Sequence, residues 1–150
     1  MRTKILLIIA LTLAALLSAG CGETTKETTK KVAQPTTSPA QTQVRIPAYY
    51  HDAASIGVLP PTLSPDKFIG PAKEAYEVAQ EIPNTLAQLP CYCYCDMHMG
   101  HKSLHSCFED THASQCAVCV SEALQAYQLQ QSGVPVEQIR QRIIAEYSKQ

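Results

Sequence analysis

The sequence contains no tryptophan and only two phenylalanines, so these two residue types can supply little of any hydrophobic core. Its net charge is −1, which predicts no basic surface for nucleic acid. It also lacks a glycine-rich phosphate loop and a Gly-x-Ser-x-Gly motif. The sequence shows neither paired carboxylates nor a nucleophile beside a base, the patterns that would indicate a hydrolase. An enzyme is therefore not the interpretation we favour. The chain is rich instead in cysteine, with seven residues.

Residues 1–20 predict a lipoprotein signal peptide. A basic start precedes an apolar run at residues 5–17, which is too short and wrongly flanked for a stable membrane span. Small residues then lead directly to Cys21, as in a bacterial lipobox, although Ser18 stands where leucine is usual. We expect Cys21 to be the first mature residue and to carry lipid through its sulfur. A cleaved signal followed by an incidental cysteine is the alternative.

Residues 21–45 predict a lipid anchor followed by a disordered tether. This segment is rich in Thr, Lys, Gln and Pro, and it has too few apolar side chains to offset its conformational entropy. Residues 46–150 leave room for one small domain and not two. The expected location is the extracytoplasmic face of the cell membrane, with the lipid on Cys21 as the membrane contact.

Hydrophobic periodicity in the domain predicts an all-α fold of three to four short helices with a Cys/His-rich loop. Apolar residues recur at helical spacing over residues 70–83, where Pro83 should break the helix before a short turn over residues 84–89. No segment alternates with a period of two, so no strand is expected. Short helices with few aromatic residues form a thin core, so crosslinks or a metal should supply part of the stability.

The strongest helical pattern covers residues 112–133. Ser114 is its expected N-cap, and Ser132–Gly133 its expected end. Its expected buried face contains Cys116, Val120 or Cys119, Ala123, Leu124 and Tyr127. A last helix is predicted over residues 135–149, with Pro135 at its start. Its expected apolar stripe is Val136, Ile139, Ile143 and Tyr147.

Soft, electron-rich side chains are concentrated in one stretch of the domain. Once residues 1–20 are removed, 12 of the 14 remaining Cys, His and Met residues lie within residues 91–119. Six of the twelve are cysteines, and three of these alternate with other residues in the segment PCYCYC at residues 90–95. This clustering is the main functional signal of the sequence, and it predicts either a metal site or a set of disulfides.

A metal site accounts for all three residue types. An extended Cys-x-Cys-x-Cys segment can direct thiolates at one centre, and Cys116 and Cys119 face the same way at a helix start, where thiolate is favoured. Such soft ligands select copper(I), zinc or iron–sulfur clusters, and the thioethers of Met97 and Met99 favour copper, with zinc second. The predicted metal ligands are Cys91, Cys93, Cys95, His101, Cys107, His112, Cys116 and Cys119.

Two alternatives use the cysteines without a metal. Six cysteines in an exported domain normally form three disulfides, and the strain of a Cys-x-Cys ring would make each of the first three pair with one of the last three. The result would be a disulfide-stapled interaction module. The segment CAVC at residues 116–119 suggests instead a thiol–disulfide oxidoreductase, although the strand–helix–strand setting of such folds is missing.

The segments PCYCYC, GHKSLHSCF, HASQCAVC and EQIR resemble a family of exported bacterial proteins grouped by a Pro-Cys-Tyr-Cys-Gly-Cys motif. The similarity extends over residues 76–147, and it implies a lipoprotein but no particular activity. The matching positions are Cys91, Cys93, Cys95, Gly100, His101, Cys107, His112, Cys116 and Cys119. Tyr94 stands where the family has glycine, so a positive φ there would strain the chain unless the turn differs.

The remaining polar residues near the cysteines are expected to have structural or surface roles. His98 and His105 fall outside the matching positions and are expected on the surface, as is the isolated His51. Asp96 is expected to form a turn. The sequence therefore predicts a membrane-anchored extracytoplasmic protein whose partners are a metal ion and the membrane, acting in metal binding, delivery or sensing.

Overall fold

The computed structural model describes residues 44–149. Its α-helices are α1 Gly70–Glu81, α2 Pro83–Ala87, α3 Cys95–His98, α4 Ala117–Gln131 and α5 Val136–Tyr147. Turns of 3-10 helix lie at Ala53–Ser55, Pro65–Lys67, His105–Phe108 and Ala113–Gln115. No strand occurs in residues 44–149, and the predicted all-α class with a Cys/His-rich region is confirmed.

Several predictions fall on residues that precede the described part of the chain. The signal peptide, the lipidated Cys21 and the tether up to residue 43 lie outside residues 44–149. Among the helices that are described, none has the length and apolar character needed to cross a membrane.

The core forms where α1 packs against α4 and α4 packs against α5. Both phenylalanines of the chain contribute to one aromatic cluster around Tyr76. Phe68 stacks on the Tyr76 ring with centroids 4.0 Å apart, and Phe108 meets it edge-on at 5.0 Å. The Tyr76 hydroxyl donates to the carbonyl oxygen of Asp110 at 2.5 Å. This cluster connects α1 to the loop that carries the histidines and Cys107.

The strongest predicted helix begins later than its sequence pattern indicated. Ser114 is not its N-cap, because its hydroxyl donates to the carbonyl oxygen of Thr111 at 2.7 Å inside the preceding 3-10 turn. Cys116 occupies the N-cap position in an extended conformation, and α4 starts at Ala117. The end was predicted correctly, since Gly133 adopts a φ of 76° just after Ser132 caps the helix.

The buried face of α4 matches the predicted one in part, since Cys119 and Ala123 are buried and Leu124 and Tyr127 are partly buried against the core. Its buried residues are Cys119, Glu122, Ala123 and Ala126. Small side chains at Ala123 and Ala126 let neighbouring helices approach, whereas Tyr127 reaches the surface and its hydroxyl donates to Glu81 Oε1 at 3.0 Å. The observed face also includes Glu122, a buried residue that the hydrophobic pattern alone did not indicate.

The sequence patterns of α1, α2 and α5 are followed closely, whereas α3 lies in the segment that was predicted as a loop. α1 ends at Glu81, and Pro83 opens α2 after an irregular residue, so the predicted break is confirmed. Pro135 caps α5, whose buried residues are Ile139, Ile143 and Tyr147, as expected from the spacing.

The segment before α1 follows the surface and is tied to the cysteine region by Asp96. This carboxylate pairs with the Arg45 guanidinium and accepts a hydrogen bond from the Ala48 backbone N–H at 3.0 Å. Asp96 lies in the first turn of α3, so the expected turn-forming residue also anchors the incoming chain. Further along, the Leu63 N–H donates to the Phe108 carbonyl oxygen at 2.9 Å.

Candidate metal centre

The loop at residues 90–95, which carries three alternate thiols, makes a sharp turn. The Tyr94 N–H donates to the Cys91 carbonyl oxygen at 3.1 Å, which closes a turn just before α3. Tyr94 has φ 57° and ψ 28°, and no other non-glycine residue in 44–149 has a positive φ. The position where Tyr replaces the motif glycine is therefore left-handed, and the side chain there costs about 1–2 kcal/mol of strain.

Each of the three loop thiols lies close to another sulfur atom. Cys91 Sγ is 3.3 Å from Cys93 Sγ and 3.4 Å from Cys119 Sγ. Cys93 Sγ is 3.6 Å from Cys119 Sγ. On the other side, Cys95 Sγ is 3.3 Å from Cys107 Sγ, which the 3-10 turn after His105 supplies. All six cysteines of the described chain are free thiols.

Two of the predicted histidines complete this group of thiols. His112 Nε2 lies 3.5 Å from Cys93 Sγ, and His101 Nδ1 lies 3.4 Å from Cys107 Sγ. The two imidazole rings meet edge-on with centroids 5.3 Å apart. His101 Nε2 is 4.0 Å from Asp110 Oδ2, so the carboxylate is near the nitrogen that faces away from the thiols.

Seven of the eight predicted ligands form three overlapping sets. Within each set, all donor atoms lie within 4.8 Å of one another. The inner set is Cys91, Cys93, Cys107 and Cys119. The middle set is Cys93, Cys95, Cys107 and His112. The outer set is Cys93, His112, Cys116 and Cys119. The structure thus brings the CAVC segment to the PCYCYC segment, and Cys93 belongs to every set.

Burial changes from one side of this cluster to the other. The sulfurs of Cys91, Cys95, Cys107 and Cys119 belong to buried residues, whereas Cys93, Cys116 and His112 are partly exposed. A surface cavity of about 260 Å³ opens beside His112 and is also lined by Met99, Asp110, Thr111 and Gln115. The donor atoms therefore extend from the protein interior to a solvent-accessible rim.

The thiols share their protons unequally. The pKa of Cys93 is lowered because neighbouring thiols, Cys107 first and then Cys119, stabilise its thiolate by hydrogen bonding. The pKa of Cys107 is raised because its S–H donates to surrounding sulfurs, Cys119 first, and because burial disfavours another thiolate. Thiolate negative charge thus centres on Cys93, and a soft cation would displace the remaining protons as it bound.

The expectation that the helix start favours a Cys119 thiolate is wrong. Although a hydrogen bond from Cys107 lowers it, the pKa of Cys119 is raised overall to about 11 by the neighbouring Cys93 and by burial. Cys116 holds the N-cap position itself, partly exposed. A catalytic thiol of an oxidoreductase needs a lowered pKa, and the raised pKa of Cys119 does not support that role for Cys119.

Glu122 is a buried carboxyl beside the thiols. It is 0% exposed, and its Oε1 accepts from the Tyr92 N–H at 2.9 Å, between Cys91 and Cys93. Its Oε2 has no hydrogen-bond partner within the described chain. Burial raises the pKa of Glu122 to about 8. Its position three residues after Cys119, on the same helical face, is the sequence signal that would have pointed to it.

The other histidines and the methionines divide between interior and surface. His98 and His51 are exposed, as expected. The expectation that His105 is exposed is wrong: it is 2% exposed, and its Nδ1 lies 3.2 Å from Glu109 Oε1. Its 3-10 turn directs it and Phe108, three residues later, to one buried face, and burial lowers its pKa.

Met97 and Met99 are 56% and 48% exposed. Met99 shares the surface cavity with His112, whereas Met97 lies in α3 beside Asp96. A thioether is therefore available where the donor atoms reach solvent.

The arrangement of cysteines and histidines agrees with the comparison with known families. No curated protein and no solved structure matches the chain. A family described as "protein of unknown function with PCYCGC motif" matches it over residues 8–150. The resemblance seen in the cysteine motifs is thereby confirmed, and the chain belongs to the PCYCGC-motif family.

Proposed function

We propose that the protein is a lipid-anchored, extracytoplasmic metal-binding protein that takes copper(I) first and zinc second. The observation that carries the proposal is the convergence of six free thiols and His112, drawn from three separate segments, on one cluster. Histidine beside thiolate is a ligand combination used for zinc and copper, and thiolates select soft metals over magnesium and calcium.

Burial of the thiols supports a bound cation. Four of the six cysteines belong to buried residues, and their sulfurs approach to 3.3–3.4 Å. Thiols packed this closely either share protons or lose them, and buried negative charge is costly unless it is compensated. A soft cation compensates the charge and also adds stability to a domain whose core is thin.

The exposed rim supports metal exchange over a purely structural ion. Structural zinc sites are usually closed by four protein ligands, whereas here Cys93, Cys116 and His112 are partly exposed and a surface cavity opens beside His112. The Met99 thioether at the same cavity is the feature that favours copper. We therefore propose roles in metal binding, delivery or sensing, with no assigned partner protein.

Location rests on the sequence alone. The signal-like residues 1–20 and the small residues before Cys21 support lipidation of that cysteine, and the polar segment after it supports a tether. Mass spectrometry of the native N-terminus should find a diacylglyceryl cysteine. A Cys21→Ser protein should be lost from the membrane fraction, and normal retention of that variant would contradict the anchor.

Metal binding is tested on the chain from residue 21 onward, carrying Cys21→Ser and reduced under anaerobic conditions. Titration with copper(I) or zinc against a competing chelator should show at least one bound ion. Cys93→Ser should abolish binding, because Cys93 belongs to every donor set. His98→Ala is the matched control, since His98 is exposed and outside the cluster, and it should bind normally. Absence of uptake by the unsubstituted chain would reject the proposal.

A disulfide-stapled interaction module is the second candidate, and one observation favours it. The cysteines pair across the cluster three against three, with Cys95 near Cys107 and Cys91 near Cys119. Cys93 and Cys116, which share the outer set, would then be left as the third pair. Peptide mapping of protein isolated anaerobically without reductant distinguishes the two. Three disulfides with this pairing and no metal uptake would establish the module.

A further inference from the structure

The number of donor atoms in the cluster exceeds what one ion uses. Six thiols and His112 fall into three sets of four, and each set alone would satisfy a tetrahedral ion. His101 Nδ1, 3.4 Å from Cys107 Sγ, adds an eighth nitrogen or sulfur donor at the edge. A single tetrahedral ion would leave four of these eight donors beside it, and the thiols among them would have to remain protonated or carry uncompensated charge.

The three sets divide the donors between two ends of the cluster. No set contains both Cys95 and Cys116, and none contains both Cys91 and Cys116. The inner set is mostly buried, whereas three of the four outer residues are partly exposed. One ion placed centrally cannot therefore reach both ends at bonding distance, since a zinc–thiolate bond is about 2.3 Å.

Cys93 is the donor that connects the two ends. It belongs to all three sets, and its sulfur lies 3.3 Å from Cys91 Sγ, 3.6 Å from Cys119 Sγ and 3.5 Å from His112 Nε2. A thiolate sulfur has several lone pairs and can bind two metal ions at once.

We infer that this site holds a polynuclear cluster of at least two soft metal ions bridged by the Cys93 thiolate, an inference that rests on the proposed metal-binding function. One ion lies toward the buried thiols of the inner set, and the other lies toward Cys116 and His112 at the rim. Each bound thiol releases its proton to solvent as its sulfur–metal bond forms, and no oxidation state changes when the copper arrives as copper(I). The rim ion is the one in position to exchange.

The stoichiometry is measured by native mass spectrometry on the chain from residue 21 onward with Cys21→Ser, titrated with copper(I) under anaerobic conditions. The expected result is a saturated species with two or more ions. Saturation at one ion would overturn the polynuclear inference while leaving the proposed function intact. Failure to bind any ion would overturn both.

Bridging is measured separately with ¹¹³Cd²⁺ as a spectroscopic probe of the same protein. Two cadmium resonances split by mutual coupling are expected, because coupling passes through a sulfur bonded to both ions. Two resonances without coupling would place the ions in independent sites and would contradict a bridging Cys93. This measurement needs no substitution, so it decides the question even where a variant fails to fold.

A matched pair of variants assigns the bridge. Cys93→Ser should lower the capacity by more than one ion and remove the cadmium coupling. Cys116→Ser should affect the rim ion alone. Because loss of a residue that merely supports a ligand weakens metal affinity about 10–100-fold, loss of the ligand itself should weaken the rim ion by at least this factor. Equal losses in the two variants would contradict the assignment of Cys93 as the shared ligand.

Discussion

The ligand region, residues 90–116, and the helical scaffold, α1, α4 and α5, are held together by different forces. The scaffold consists of helices of 12 to 15 residues whose buried faces repeat at helical spacing. The ligand region has one four-residue helix, and its backbone relies on short turn bonds such as Cys107 N–H to the Leu104 carbonyl oxygen at 3.1 Å. Its order therefore depends on what its side chains contact.

The two regions differ in how much a bound cation would stabilise them. The scaffold hides apolar side chains such as Ile139 and Ile143 completely, and burial of that kind needs no ligand. The ligand region instead buries thiols, a histidine and the Leu104 and Phe108 side chains in short irregular segments. The two regions meet at Cys119, on α4, and at Phe108, against Tyr76 of α1.

The largest expected effect comes from breaking the aromatic contact between the regions. Phe108 is 0% exposed and meets the Tyr76 ring at 5.0 Å, so Phe108→Ala removes a full core side chain. The free energy of unfolding should fall by about 3–5 kcal/mol. Chemical denaturation measures the change, and Val58→Ala, at a fully exposed position, should change it by less than about 0.5 kcal/mol. Similar values for both variants would contradict the contact.

Metal should sharpen the difference between the regions. At copper(I) or zinc concentrations a hundredfold above the dissociation constant, the reduced protein should gain about 2.7 kcal/mol of unfolding free energy per independent site. Hydrogen exchange should show the largest added protection in residues 90–116, because that region lacks long helices. Magnesium, a hard cation, is the control and should add none. Protection confined to the scaffold would contradict a site among the thiols.

Glu122 makes the junction between the regions sensitive to pH. Its folded pKa of about 8 lies above the ordinary 4.5, so the folded state holds the proton more tightly. In reduced protein without metal, its contribution to stability is present at low pH and is lost as pH rises from about 4.5 to 8. The slope is at most about 1.4 kcal/mol per pH unit.

Glu122→Gln tests this titration because the amide keeps an acceptor for the Tyr92 N–H. The variant should lose that slope and should be more stable than the unsubstituted protein near pH 8. Glu74→Gln, at an exposed position of α1, is the control and should follow the unsubstituted protein. Parallel stability curves for Glu122→Gln and the unsubstituted protein across this pH range would show that the carboxyl does not titrate there.

The smallest expected effect concerns strain in the ligand region. Tyr94 sits at φ 57°, where a side chain costs about 1–2 kcal/mol and glycine costs little. Tyr94→Gly should therefore be about 1 kcal/mol more stable than Tyr94→Ala, which removes the same ring and keeps the strain. Both variants lose the contact with the Tyr92 ring at 5.9 Å, so that loss does not affect the difference between them. Equal stabilities would mean that the turn relaxes to a negative φ.

Much of the scaffold was predictable because local spacing and termination signals agree with tertiary packing there. Pro83, Gly133 and the stripe of α5 are examples in which one residue or one period determines the outcome. The start of α4 was not predicted correctly, and its buried face was predicted only in part. The Ser114 hydroxyl could cap the helix or bond within the preceding turn, and it bonds within the turn. Which face of α4 is buried depends on where α1 and α5 pack, and a single helix carries no such information.

Composition, hydrophobic period and motif order were enough to predict the helical class, the family and the concentration of soft ligands in residues 91–119. Tertiary packing was needed to show how the predicted ligands divide into three sets around Cys93, that His105 turns inward and that Glu122 lies beneath the ligand loop. Contacts between residues more than 20 positions apart depend on how turns and helices pack in three dimensions. Spacing along one chain cannot specify that packing, and the donor sets of this protein are built from it.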